Sequence, residues 1–395
     1  MTTYTQEQIL AMDLTQLMDA CEAAYHSERN AQLKANDSQI RYRVGIGRTV
    51  FARAFGFKTL DYYHDMNECL KQQLRWKLWN FYVLQDDTPF DMEIGIDYAT
   101  AYEPSFYGMD YHMIEGAEPT YGRPILEEIE DIDNLKMPDF YTSGLMPTVI
   151  KQYEELKTMV DDRFHVFFPG FARGPWSIAT ILRGFNELFV DMMEDPEYVH
   201  KLVKFAADSR ISWEKQRCEY LGIDPKDHDY RWKYIIYRDN WNSDSFEDEV
   251  NGNMFSKDMF EEFVLPYEKQ IAEFYDGIGY YHSCGNLTPF LDGLKTVKIF
   301  GWQHVSAWTD YVQAVEKTQE GTVVQVSLDP LKEVLTDDEN VIRERIRFYL
   351  DNSGTRRVDL CPDAIYEGGQ EVLDKMVRYT QIMREEIAAW EARRA

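Results

Sequence analysis

The sequence contains no run of about 18 uninterrupted apolar residues, so no segment of it reads as a membrane-spanning helix. Its opening, MTTYTQEQILAMDLTQLMDA, lacks both the basic region and the apolar core of a secretory signal, and the expected address is the cytosol. Cysteine is scarce: the five in 395 residues (Cys21, Cys69, Cys218, Cys284 and Cys361) are odd in number and widely spaced. That pattern argues against a disulfide framework and leaves free thiols or metal ligands in a reducing compartment. Basic charge is also short, with 42 Lys and Arg against 69 Asp and Glu and a net charge of -27 spread along the whole chain. Such a surface repels phosphate backbones and anionic lipid, which makes nucleic acid and membranes poor partners. No repeat, low-complexity tract or Pro/Gly-rich linker divides the chain.

What is present is enough apolar material for a real core, at 44% of residues, and an unusual wealth of aromatics: 26 Tyr, 22 Phe and 9 Trp. Residues 1–90 read as a helical extension. Asp65-Met66-Asn67-Glu68 has the form of a capping box, and CLKQQLRWKLWNFYVL follows with helical spacing. No strand signal appears before Phe90. From there, residues 91–395 alternate short apolar runs with amphipathic helices, the texture of βα units. Tyr234–Tyr237 reads as a strand that delivers Arg238-Asp239-Asn240. Ser256 caps KDMFEEFVLPYEKQIAEFY, which Pro266 is expected to kink. Gly279–His282 delivers Ser283-Cys284, Ile299–Val305 delivers Ser306-Ala307-Trp308, Thr322–Val326 delivers Ser327-Leu328-Asp329, and Arg357–Leu360 delivers Cys361.

Five successive strands thus end in polar or ligand-type residues. In a TIM (β/α)8 barrel the carboxyl ends of the strands converge on one face, and that face carries the active site. The expected architecture is one such barrel with the helical N-terminal extension packed on it. An open doubly wound sheet is the alternative, since βα alternation does not by itself specify closure.

His282 and Cys284, two residues apart on an extended backbone, face the same side and can reach one cation. With Cys361, 77 positions later, they make a three-ligand set of the kind zinc takes in catalytic sites. The competing reading is a satisfied core histidine with two small buried thiols. Placement at strand ends, with Gly285 following where the backbone must turn, favours the metal.

Several blocks resemble one family. His282-Ser283-Cys284-Gly285-Asn286 with the distant Cys361, Gly174-Pro175-Trp176-Ser177-Ile178-Ala179, the helix RGFNELFVDMMEDPEYVHKLV and Phe260–Tyr267 are similar to blocks of the uroporphyrinogen decarboxylase superfamily. Within it they are most like the zinc-containing, corrinoid-linked methyltransferases. The resemblance covers roughly residues 165 to 370 as a set and is loose in the N-terminal third. It implies a TIM-type barrel, zinc held by His282, Cys284 and Cys361, and cobalamin carried by a separate corrinoid protein. The arginine-rich N-terminal motif of the true decarboxylases is missing, which favours methyl transfer. One departure stands out. Where thiol-activating members carry an extra glutamate ligand, this chain reads Gln303-His304-Val305-Ser306-Ala307-Trp308-Thr309-Asp310; His304 or Asp310 is the candidate substitute, and the alternative is His304 as a packing residue on its strand with the fourth position open to substrate.

Around the metal set, Asp239 is the candidate acid/base or orienting group, with a capping role as its alternative, and Asn240 beside it a substrate contact. Arg173 is read as a binder of an anionic substrate or corrinoid side chain, or else an ordinary ion-pair partner, and Trp308 as a wall of the pocket. The expected function is zinc-dependent methyl transfer between a small methylated compound, such as an aryl methyl ether, and the cobalamin of a corrinoid protein. The alternatives are transfer from a methylcorrinoid to a thiol, a decarboxylase-like enzyme, and a non-catalytic zinc or corrinoid-binding protein. Oligomeric state is left open.

Overall fold

The parallel strands are short and bounded by ligand-type residues, and the computed structural model assembles them side by side; it describes residues 3–227, 245–362 and 365–394. In chain order the strands are β1 (Ile40–Tyr42), β2 (Glu93–Gly95), β3 (Tyr111–His112), β4 (Thr120–Tyr121), β5 (His165–Phe167), β6 (Ser245–Glu247), β7 (Ile278–His282), β8 (Ile299–Val305), β9 (Val323–Leu328) and β10 (Val358–Pro362). Six of them form one sheet in the order β1-β10-β9-β8-β7-β6, and β2 pairs with β5 in a second. All of these pairings are parallel. The last strand returns to lie beside the first, with Ile40 opposite Val358, which is what winding into a barrel requires. Eight parallel strands with intervening helices make the (β/α)8 architecture, although among the described residues the two sheets share no ladder. Strands β3 and β4 form an antiparallel hairpin outside the barrel.

Four strand expectations coincide with β7, β8, β9 and β10 to within about two residues. The run Tyr234–Tyr237 lies outside the described residues. The expectation of no strand before Phe90 is corrected: β1 lies inside the first 90 residues, and only three residues long, it carries too little period-2 signal to stand out between helices. The rest of that stretch is helical, including Met66–Trp79 with Asp65 capping Asn67 through its side chain. Pro266 does more than kink its helix. The segment splits into two separate helices, Lys257–Phe263 and Leu265–Tyr275, with Pro266 in the first turn of the second, where its missing N–H costs nothing.

Both faces of a parallel sheet are covered, so its strands are apolar along their length, and six of the seven residues of β8 are buried. Polar residues inside such strands are therefore exceptions, and His304, Gln325 and Ser327 among them line one cavity. They identify the site.

Candidate functional site at the barrel mouth

Strand β7 ends at His282, and three contacts fix that end. The Asp248 N–H donates to the His282 carbonyl at 3.1 Å. The Ser283 hydroxyl donates to the Val250 carbonyl at 2.8 Å and accepts from the Val250 N–H at 3.3 Å. Asp248 is itself buried at the start of the helix Pro175–Arg183, where its carboxylate accepts the N–H of Ser177 at 2.6 Å and of Trp176 at 3.4 Å. This explains the Gly-Pro-Trp-Ser block: a Cβ on Gly174 would fall 2.4 Å from the Asp248 carboxyl carbon. Burial pushes the Asp248 carboxyl up to about 7 against those N–H bonds. Burial, with Asp248 nearby, also raises the neighbouring Glu268, whose carboxylate accepts the Tyr281 hydroxyl at 2.8 Å.

His282 and Cys284 come together as their spacing requires, with Sγ 3.8 Å from Nε2. Both line a cavity of about 910 Å³, and Cys361, Arg173 and His304 line it too. The three expected ligands thus share one chamber. Among the described residues, however, no group of three or more His, Cys, Asp or Glu side chains stands in an arrangement that would hold a metal ion. In this structure the Cys361 thiol turns to its neighbour's carbonyl, Pro362 O, at 3.2 Å. His282 is buried, and burial together with the positive charge of Arg173 lowers its pKa to about 3, so its imidazole is neutral and able to act as a ligand.

His304 was legible as a packing residue or as a substitute ligand, and the structure puts it at the site. Its ring lies 4.1 Å from that of His282, centroid to centroid. Its Nδ1 donates to the Ser283 carbonyl at 2.9 Å, which in the neutral ring makes Nε2 the acceptor. Asp310 is elsewhere: it caps the helix Tyr311–Lys317 and is exposed. Arg173 is buried beside Glu103, with Nε to carboxylate at 3.9 Å. Trp308 does not wall the cavity. It is 61% exposed, on the loop after β8, with the Lys332 ammonium 5.2 Å from its ring centroid. Asp239 and Asn240 lie outside the described residues.

A family model described as uroporphyrinogen decarboxylase (URO-D) matches residues 86–219 and 244–358, more than half of the chain. The chain belongs to the uroporphyrinogen decarboxylase family. Among curated relatives, a uroporphyrinogen decarboxylase from Xylella fastidiosa is 24% identical over 241 residues, spanning 58% of this chain and 60% of that protein. The chain therefore matches less than two thirds of this relative's length. Among solved structures, a methyltransferase from Methanosarcina mazei superposes with a TM-score of 0.56 at 13% identity, covering 96% of this chain and 99% of that one. That likeness establishes the barrel fold of this family member.

Sequence reasoning missed the second tier of the cavity. Tyr280, two residues before His282 on the same face of β7, lines it together with Trp302, Gln325 and Arg43. Gln325 within VVQVS and Asp359 within RVDLC are polar residues inside apolar strand runs, and that was the available signal. For Arg43 no signal existed, because β1 went unread.

Proposed function

We propose that this family member is a zinc-dependent methyltransferase that moves a methyl group between a small methylated substrate, such as an aryl methyl ether, and the cobalamin of a separate corrinoid protein. The observation that carries the reading is the His282–Cys284 pair, 3.8 Å apart at a strand end, facing a chamber that Cys361 also lines. A neutral imidazole and two thiols on strand ends are a fitting donor set for zinc, and metal binding commonly closes a site that its ligands only approach without it. Zinc, when bound, supplies a Lewis acid that stabilises charge on a sulfur or oxygen of the substrate.

The chain's own residues supply the rest. His304, its Nδ1 committed to the Ser283 carbonyl, is the candidate for a fourth ligand. Arg173 sets a positive charge beside the pair and orients an anionic group. At about 910 Å³ the chamber has the volume to hold a small substrate.

The decarboxylase reading is less well supported. Its substrate, a tetrapyrrole with many carboxylates, calls for uncommitted cations. Here Arg43 is paired with Asp359, Arg48 with Asp97 and Glu118, and Arg53 with Glu367.

The test is metal analysis of the purified protein and its Cys361→Ala variant, followed by the visible spectrum of a corrinoid protein mixed with methyl donors or thiols. About one zinc per chain, lost in the variant while the fold is kept, and a change of cobalt oxidation state on mixing are the expected results. A zinc-free protein, or a variant that keeps both metal and turnover, refutes the assignment. Zinc without any cobalt change points to a binding protein.

A further inference from the structure

A second cavity, of about 360 Å³, lies on the other side of β1 from the chamber. Tyr42 and Arg43 are consecutive on an extended backbone and so face opposite ways, Tyr42 into the small cavity and Arg43 into the chamber. Asp86 lines both. Two arginines from opposite ends of the chain meet across the small cavity: Arg29 on the helix Glu28–Lys34 and Arg384 on the helix Gln370–Arg394.

One turn holds both guanidiniums. The π-helical turn Asn80–Leu84 ends at Gln85, which is left-handed at φ 62° although not a glycine, with its N–H donating to the Asn80 carbonyl at 2.8 Å. Such turns recur at functional sites. From it, the Phe81 carbonyl accepts the Arg29 Nη1 and the Gln85 carbonyl accepts the Arg384 Nη2 at 2.8 Å. A carbonyl binds an arginine without neutralising it. Among the described residues neither guanidinium stands within ion-pair distance of a carboxylate, in a chain with 69 acidic residues against 42 basic ones.

Burial lowers the Arg29 pKa, the Asp86 carboxylate works against that, and the positive charge of Arg384 adds to it, so the two cations repel each other across the cavity. Asp86 offsets only part of this charge, and its oxygens are taken by the N–H groups of Val44 at 2.9 Å and Thr88 at 3.0 Å. Asn36 adds a neutral donor: its side-chain oxygen accepts the Ser38 N–H at 3.0 Å, which leaves its NH2 group to the cavity.

We propose that this cavity is a binding site for a small organic dianion, held between the guanidiniums of Arg29 and Arg384. The planar fork of each arginine matches one oxyanion group, and two unneutralised forks call for two negative charges. The volume suits a small organic molecule and exceeds the need of a bare inorganic ion. Dicarboxylates and phosphate monoesters share this chemistry. The site is separate from the chamber and does not rest on the proposed methyl transfer.

The experiment is calorimetric titration of the full chain with succinate and with glycerol 3-phosphate, against sodium chloride at equal ionic strength, and thermal melts under the same conditions. One dianion per chain is expected to bind, and the arm that binds more tightly identifies the source. Occupancy at about 100 Kd should raise the melting temperature by roughly 3 °C. Arg29→Gln and Arg384→Gln should each weaken binding by about tenfold or more, whereas Arg173→Gln, in the chamber, should leave it unchanged. Arg384 is exposed, so its variant keeps the test open where loss of Arg29 impairs folding. No binding by either dianion, an equal stabilisation by chloride, or binding that survives in Arg384→Gln overturns the proposal. So does binding lost in Arg173→Gln, which would put the dianion in the chamber.

Discussion

Gly285 was expected at a turn, yet the structure requires glycine there for a different reason, and Gly285→Ala tests it. Its φ is not in the left-handed region. Instead, a Cβ at this position would lie 2.1 Å from the Val250 carbonyl oxygen and 2.7 Å from the Asn251 Cα. The obstacles are backbone atoms, so no rotamer change relieves the clash, and one of the two segments must retreat by about 1 Å. The bonds at risk hold the ligand-bearing segment: Ser283 hydroxyl to Val250 carbonyl at 2.8 Å, Ser306 hydroxyl to Gly285 carbonyl at 2.7 Å, and Gly252 N–H to Asn286 carbonyl at 2.8 Å. Overpacking costs about 1–3 kcal/mol and each buried bond lost about 1 kcal/mol. A loss of about 3 kcal/mol is expected, which in a chain of this size lowers the melting temperature by roughly 4 °C. Gly222→Ala is the control. Gly222 caps the helix Pro196–Leu221 at φ 67° with nothing within 4 Å of its Cβ position, so alanine there meets only left-handed strain, about 1 kcal/mol. Differential scanning calorimetry of the two variants decides the matter. If Gly285→Ala melts no lower than Gly222→Ala, the close-approach argument is wrong.

Two further predictions concern charged side chains away from the ligand pair. Burial raises the Asp87 carboxyl to about 6, against the lowering effect of the Tyr42 N–H bond, so the folded state holds its proton longer than the unfolded one does. Its contribution is fully present below the ordinary carboxylate range and is lost as pH rises through about 6. Asp87→Asn, which mimics the protonated form, should match the parent at pH 4 and exceed it by about 2 kcal/mol at pH 7, read by urea melts; a constant difference across that range would refute it. Glu118, at the β3–β4 hairpin, pairs with the largely buried Arg48 at 2.9 Å and accepts the Tyr63 hydroxyl at 2.6 Å. Glu118→Ala leaves that cation with Asp97 as its carboxylate partner, should cost about 2 kcal/mol and should speed amide exchange in residues 111–121; unchanged exchange there would show the pair does not hold the hairpin.

Much of the barrel was legible in the sequence because parallel strands buried on both faces leave a compact signature, a short apolar run ending in polar residues. Strands β7 to β10 could be read that way, and so could the same-side placement of His282 and Cys284, which follows from backbone pleat alone. Strand β1 could not, since three residues carry almost no periodicity. Local sequence also misled over Trp308, whose position after a strand suggested a pocket wall, because the direction in which a loop leaves the barrel depends on what packs beneath it. The reasons for Gly174 and Gly285 were hidden as well, for each is set by a remote backbone or carboxylate that only folding brings close.

The sequence by itself determined the class of architecture, the pair of donors at one strand end and the strand that delivers Cys361, because pleat and hydrophobic period act over a few residues. Only the tertiary structure decided that Arg43, Asp359, Gln325 and Tyr280 form one directional chain, and that His304 stands against His282. Those relations join residues up to hundreds of positions apart. They depend on which strands lie side by side and in what register, and that is a property of the whole sheet.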